Sequence, residues 1–344
     1  MAKKLEKAVN VIGSAEVDAY VPKKITGWQK FKKFFTSKHF SKLLWAIFRT
    51  VLLVGICFLI LYPIILRLSS SLKPFEEAYD PTVMLIPKNP TLDLYITMWD
   101  YINAPKLFIN SIVSSGLLGA TQMVSCMFVA YGLARFKFKG NGAIFGVSIV
   151  TLIIPVQIIT TAMIFRYKAF NPLTMFSFGQ VLYEVPNIDM TKGWTAIIML
   201  SVTATMYRNG LFIFLLRQYF KNQPKELEEA AYIDGAGPFR TFLQVMLPSA
   251  LPILVTVFLF AFVWQYNDIV YTSLLNPTAQ VMATRVANAA GNYIFTVLRE
   301  TENLVLGDLL SSALMIMHIT PIIILYVFCQ RFFVQSIERS GMVG

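Results

Sequence analysis

The chain has 344 residues, 56% of them hydrophobic and only 14% charged, with a formal net charge of +11 and a mean hydropathy of +0.59. One water-soluble core cannot absorb that much apolar surface, which argues against a soluble globular or disordered protein and makes the bilayer the expected solvent. The positive charge does not signal nucleic acid either, because the Lys and Arg residues fall in blocks on alternate sides of the apolar segments.

Residues 1–41 are basic, carrying Lys3, Lys4, Lys7, Lys23, Lys24, Lys30, Lys32, Lys33 and Lys38 against Glu6, Glu16 and Asp18. They lack a short apolar core ending in small residues, so no cleaved signal peptide is expected and they read as a cytoplasmic basic N-terminal extension. Within them, residues 28–40 mix Lys with Trp28, Phe31, Phe34, Phe35 and Phe40. That composition suits either a helix lying on an anionic membrane surface or a solvated basic tail.

Residues 42–344 read as the membrane domain. A helix crossing about 30 Å of hydrocarbon needs roughly 20 mostly apolar residues, and six such segments lie between charges. The first holds residues 52–66, between Arg49 and Arg67, and the second residues 108–134, between Lys106 and Arg135. The third runs between Lys139 and Arg166, and the fourth between Lys192 and Arg217 with Arg208 inside it. The fifth lies between Arg240 and Asp268, and the sixth between Asp308 and Arg331. Continuous runs of Leu, Ile, Val and Phe, rather than apolar–polar alternation, exclude a β-barrel and predict an all-α integral membrane protein with six transmembrane helices.

Basic residues precede the first segment, follow the second (Arg135, Lys137, Lys139), follow the fourth (Arg217, Lys221, Lys225, Arg240) and close the chain (Arg331, Arg339). The other connections carry acids, among them Glu76, Glu77, Asp80, Asp93, Asp100, Glu184, Asp189, Glu300 and Glu302. The positive-inside rule then predicts an N-in, C-in topology, with residues 1–41, 135–141, 217–247 and 332–344 in the cytoplasm and Glu77 and Asp189 outside.

Cys57, Cys126 and Cys329 all fall in the apolar segments and cannot form an extracellular disulfide framework. His39 and His318 are the only histidines and have no Cys or acidic cluster at ligand spacing, so no metal site is expected. The chain holds no Gly-rich phosphate loop and no Ser/His/Asp constellation, which argues against an enzyme and places any ATP used on another subunit.

Residues 218–246, between the fourth and fifth segments, are too long and too patterned for a plain connector and read as two short helices. Pro224 fits a first helical position with Asn222 or Gln223 as cap. Glu226, Glu228 and Glu229 then lie near the positive end of the helix dipole, and Gly235 ends the helix in left-handed backbone before Gly237 and Pro238 redirect the chain. Ala230 and Ala231 leave little side chain between Leu227 and Asp234, so another protein can approach the helix closely.

Glu229-Ala230-Ala231, Gly235, Val245 and Leu247-Pro248, at this spacing, resemble the EAA loop of ABC importer permeases, with Val245 where isoleucine is commonest. The run from Leu215-Leu216-Arg217-Gln218 through Ile233-Asp234-Gly235-Ala236 is similar to the MalG-like carbohydrate-uptake branch. So are Ser71-Leu72-Lys73, Asn110-Ser111, Tyr131-Gly132-Leu133-Ala134-Arg135, Asn267-Asp268 and the closing Gln330-Arg331-Phe332-Phe333 and Ser340-Gly341-Met342-Val343-Gly344. The long N-terminal extension, an inserted outer segment at 168–192 and Tyr266 in place of a tryptophan depart from the pattern.

The resemblance implies a permease subunit in the bacterial cytoplasmic membrane, paired with a second homologous permease and served by an extracellular solute-binding protein. Two ATPase subunits would carry the ATP and magnesium, this chain binding no cofactor itself. Glu229, Ala230, Ala231, Asp234, Gly235, Leu247 and Pro248 would couple it to them, and residues 335–344 would also reach them. Oligopeptide or polyamine is the competing solute class. A secondary transporter is a weaker rival, since ionisable groups inside the segments reduce mainly to Arg208.

Sugars are held by aromatic faces together with hydrogen-bonding side chains. Trp264, Asn267, Asp268 and Tyr271 are predicted to form one stripe of a continuous fifth helix, which suits a solute path or an interfacial aromatic belt. Arg208 is expected to face protein or a water-filled cavity, where an anionic sugar or a carboxylate of the second permease would pair with it.

Overall fold

In the computed structural model the first, second and sixth apolar segments fold as the longest helices. Residues 38–80, 82–83, 85–170, 188–301 and 303–341 are described. The expectations for residues 1–37, for 171–187 of the outer segment and for 342–344 lie outside these.

Residues 1–64 and 65–344 separate into two compact units. Helix α1 (Lys38–Ser71) supplies what is described of the first, an apolar rod whose large side chains from Leu43 to Leu61 are exposed. The second unit continues with a 3-10 turn (Phe75–Tyr79), α2 (Asp93–Ile102), α3 (Ala104–Arg135), α4 (Asn141–Ile153) and α5 (Val156–Lys168). Next come α6 (Thr195–Val202), α7 (Asn209–Asn222), α8 (Glu226–Ile233), α9 (Pro238–Thr241), a π turn (Phe242–Met246) and α10 (Leu247–Ser249). Helices α11 (Leu251–Tyr266), α12 (Val270–Leu275), α13 (Met282–Tyr293) with its π turn (Ile294–Leu298), and α14 (Leu304–Gly341) complete it. Among the described residues there is no strand, only one antiparallel bridge joining Phe170 and Ile188.

Three helices are long and apolar enough to cross a membrane alone, at Ser41–Ser71, Ala104–Arg135 and Leu304–Arg331, and two bent pairs would each add one. The third, fourth and fifth of the six expected segments are thus not single helices. The third segment breaks at Ile154 and Pro155, where α4 and α5 bend by 108°. Proline lacks the N–H that would continue the ladder and forces its predecessor into extended backbone, and Ile154 sits at φ −71°, ψ 120°. The fourth breaks between α6 and α7, where Ala204 (φ 54°) and Arg208 (φ 70°) take left-handed backbone. The fifth bends by 77° between α9–α10 and α11, where Pro248 and Pro252 flank Ala250.

Helix α3 is the pillar of the second unit, packed against both α11 and α7. Near its start, Leu107 joins Met98, Tyr266, Met282, Leu310 and Leu314 in one core cluster. Near its end, Cys126, Met127 and Tyr131 join Phe212, Leu216, Phe220, Phe242 and Met246 in another. Lipid is as apolar as these side chains, so helix association rests on close packing, which small residues permit. Gly119 shows the fit: a Cβ there would lie 3.1 Å from the backbone nitrogen of Phe262.

The segment after α1 is tied by polar groups. The hydroxyls of Ser71 and Tyr95 lie 2.6 Å apart, and the Glu77 carboxylate accepts from the backbone N–H groups of Lys88 and Asn89 at 2.9 and 2.7 Å. The Lys88 ammonium, and then Thr82, hold the exposed Asp80 carboxyl well below the usual carboxylate range. The stabilisation this gives is present above the ordinary carboxylate pKa and lost as pH falls through the depressed one.

Candidate functional site

The connection between α7 and α11 is built as expected in outline but starts later. Pro224 closes α7 rather than opening α8, with Gln223 as the C-cap of α7, and α8 begins at Glu226 with no side-chain cap at Lys225. Glu226, Glu228 and Glu229 do occupy its first turn. At its end, the Ala236 N–H donates to the Ala231 carbonyl at 2.9 Å and the Gly235 N–H to the Tyr232 carbonyl at 3.1 Å. These are the two bonds of a Schellman stop, whose left-handed residue is Gly235 at φ 78°.

The two alanines do not share a face. Successive residues of a helix point about 100° apart, so Ala231 turns inward with Glu228 while Ala230 and Glu229 stay exposed. The Glu229 carboxylate has no hydrogen-bond or ion-pair partner among the described residues. The same connection carries exposed apolar side chains, Leu227, Ile233 (86% exposed), Phe239 (67% exposed) and Leu243. Asp234 is also exposed, at the C-cap.

Glu228 clamps this ridge to the membrane domain, a role that sequence reading missed. Its carboxylate accepts the Tyr131 hydroxyl at 3.0 Å and lies 3.3 Å from Arg135 Nε, with the side chains only 12% and 7% exposed. The Arg135 contact is an ion pair by distance, but its Nε is not aligned for a hydrogen bond. Arg135 Nη2 donates instead to the Gln223 carbonyl at 3.0 Å. Removing either partner of such a pair would leave the other charge buried and uncompensated, and this couples the end of α3 to α8. The signal was in the sequence, in Tyr131 and Arg135 of the family motif, but a motif does not say what its residues touch.

Aromatic packing continues the clamp. Tyr131 meets Phe242 at 4.6 Å and Phe220 at 5.4 Å between ring centroids. Leu247 packs against the same cluster, Pro248 is exposed at the bend, and Tyr219 donates its hydroxyl to the Ser249 carbonyl.

The expected solute-path stripe is rearranged. Helix α11 ends at Tyr266, so Tyr271 belongs to a different helix, α12. Asp268 explains the break: its carboxylate accepts the N–H and hydroxyl of Thr272, both at 2.7 Å, and the N–H of Tyr271 at 3.2 Å, capping α12. Asn267 turns to His318, their Oδ1 and Nε2 lying 3.1 Å apart. Trp264, Asp268, Tyr271 and Arg208 nonetheless line one cavity of about 30 Å³. Arg208 is not inside a helix, as the sequence suggested, but in the break before α7, with its guanidinium 4.1 Å from the Trp264 ring centroid and 4.8 Å from that of Tyr207.

Residues 124–339, well over half of the chain, match the family described as binding-protein-dependent transport system inner membrane component. The chain is 27% identical over 297 residues to the sn-glycerol-3-phosphate transport system permease protein UgpE of Escherichia coli O1:K1 / APEC, covering 85% of this chain and 95% of that one. It is 27% identical over 300 residues to the maltose/maltodextrin transport system permease protein MalG of Vibrio parahaemolyticus, covering 83% and 92%. The fold matches a chain in the crystal structure of a bacterial ABC transporter involved in the import of the acidic polysaccharide alginate, with a TM-score of 0.63 at 20% identity, covering 86% of this chain and 98% of that one. The all-helical fold and this match agree: the chain is an inner-membrane permease subunit and belongs to the binding-protein-dependent transport system inner membrane component family.

Proposed function

We propose that the chain imports a sugar or oligosaccharide as one of two homologous permeases, fed by an extracellular solute-binding protein and driven by two ATPase subunits that bind the ATP and magnesium. Residues 42–344 form the permease domain, residues 217–247 its coupling loop and residues 1–41 a cytoplasmic extension. The observation that carries this reading is the unpartnered Glu229 carboxylate in a connection that exposes Leu227, Ile233 and Phe239, on a helix that Glu228 fixes from behind. An ATPase groove would cover the apolar ridge and donate to Glu229, while Gly235 sets the angle at which Phe239 follows. Leu247 and Pro248 hold the bend. Movement of the ATPases would pass through Glu228 and Arg135 to α3, because a clamped helix transmits displacement as a body. The maltose/maltodextrin and sn-glycerol-3-phosphate relatives support a carbohydrate or polyol solute.

The test uses the full importer in proteoliposomes. Binding protein loaded with saccharide should stimulate ATP hydrolysis and uptake, and a Glu229→Lys, Gly235→Val double variant should lose both along with the ATPases. Normal recruitment and uptake in that variant would refute the coupling role.

A further inference from the structure

Arg208 is flanked by aromatic rings but has no acceptor for its guanidinium among the described residues. It stands half-buried at the break before α7, in left-handed backbone at φ 70°, and its guanidinium lies against the rings of Trp264 and Tyr207. Those faces balance part of the charge, but none of its five donors makes a hydrogen bond to the described residues. Asp268 lines the same cavity yet forms no ion pair with it, since both of its oxygens are engaged in capping α12. Gln265, also lining the cavity and only 6% exposed, has a buried Oε1 with no donor. Gln122, another lining residue, donates its Nε2 to Asn209 and the Tyr207 carbonyl.

We infer that this cavity is an anion-selecting subsite of the solute path, in which Arg208 takes a carboxylate or phosphate group of the carbohydrate and Gln265 accepts from a neighbouring hydroxyl. This rests on the carbohydrate-import reading above and narrows it to acidic sugars. A planar guanidinium matches a two-oxygen anion, and aromatic walls suit the C–H face of a sugar ring. At about 30 Å³ the cavity admits the charged group rather than a ring, so the rest of the solute lies at its mouth. The other acceptor of suitable chemistry is a carboxylate of the second permease, and the experiment separates the two.

The whole importer, with its binding protein, is reconstituted in proteoliposomes and given three radiolabelled probes of similar size: a neutral disaccharide, a uronate disaccharide and a disaccharide phosphate. One or both charged probes should be taken up at least about tenfold faster than the neutral one, and Arg208→Gln should lower that uptake by about tenfold or more while the two permeases still copurify. Arg208→Lys, which keeps the charge but not the fork, should retain part of it. Preferred uptake of the neutral disaccharide would overturn the anion subsite and leave carbohydrate import standing. Uptake of none of the three would overturn both. If Arg208→Gln separates the two permeases, with Arg208→Lys restoring assembly, the acceptor is the partner's carboxylate and the subsite is refuted.

Discussion

Glu228 and Glu229 are neighbours in sequence with opposite surroundings, and they should fail in different ways when neutralised. Glu228→Gln keeps an acceptor for Tyr131 but leaves the 7%-exposed Arg135 side chain without its countercharge, a loss on the order of 3 kcal/mol for a buried pair. The purified permease pair should then melt several degrees lower. Glu229→Gln removes no contact within the chain, so the melting temperature should hold while ATPase retention on an affinity column falls by about tenfold. Equal melting temperatures for the two variants would remove the clamp. At this scale the sequence was legible where a rule is local: glycine at a helix stop identified Gly235, and dipole logic placed the acids. It was silent on which carboxylate faces inward. Glu228 is distinguished only by the distant Tyr131 and Arg135 that approach it, and the sequence alone cannot pair residues nearly a hundred positions apart.

Helices set the next level, and the contact between α3 and α11 is the tightest test of it. A Cβ on Gly119 would press on the Phe262 backbone nitrogen at 3.1 Å and the Ala261 carbonyl carbon at 3.4 Å, and backbone atoms cannot rotate away. Gly119→Val should therefore separate the two helices and cost about 1–3 kcal/mol, seen as a lower melting temperature in detergent. Gly116, one turn earlier, has nothing within 4 Å of an added Cβ, and Gly116→Val serves as the control. Equal effects at the two sites would mean that helix propensity, not packing, is being measured. The apolar segments themselves were readable because hydropathy needs no tertiary knowledge. Their breaks were not. Pro155 was visible in the sequence, but proline is tolerated in membrane helices, and its presence does not fix a 108° bend. The left-handed Ala204 and Arg208 carry no sequence signal, since neither residue type favours that backbone. A continuous stripe from Trp264 to Tyr271 failed for a readable reason, as Asp268 caps α12 and a capping aspartate starts a new helix.

For the whole molecule, the contacts decide which pieces share an end, and from that the number of crossings follows. Arg135 touches Gln223 and Glu228, and Arg217 donates to the Leu133 carbonyl while stacking over Phe145, so the end of α3, the start of α4 and the coupling loop lie together. At the other end of α3, Asn110 donates to the Gln280 carbonyl and Tyr101 packs on Tyr293. A 32-residue helix separates these ends by about 48 Å, more than the hydrocarbon thickness. Residues 136–140 and the 217–247 connection are therefore on one side, and the positive-inside rule predicts from their basic residues that it is the cytoplasmic one. Between them, α4–α5 and α6–α7 must cross twice or not at all. Phe170, Met190 and Tyr271 share a core cluster with Leu118, well away from Arg135, which favours two crossings and a total of six. The reporter is residue 192. In intact cells a membrane-impermeant maleimide should label Tyr79→Cys and Lys192→Cys, and should reach Lys137→Cys and Ile233→Cys only after permeabilisation. The native Cys57, Cys126 and Cys329 lie in apolar helices where a charged reagent reacts poorly, so the unsubstituted chain sets the baseline. Protection of Lys192→Cys from outside would make the α4–α5 bend a hairpin that returns to the cytoplasm, reducing the crossings to four while leaving the coupling loop where it is. External labelling of Ile233→Cys would instead put the coupling loop out of reach of any cytoplasmic ATPase and overturn the orientation of the whole chain.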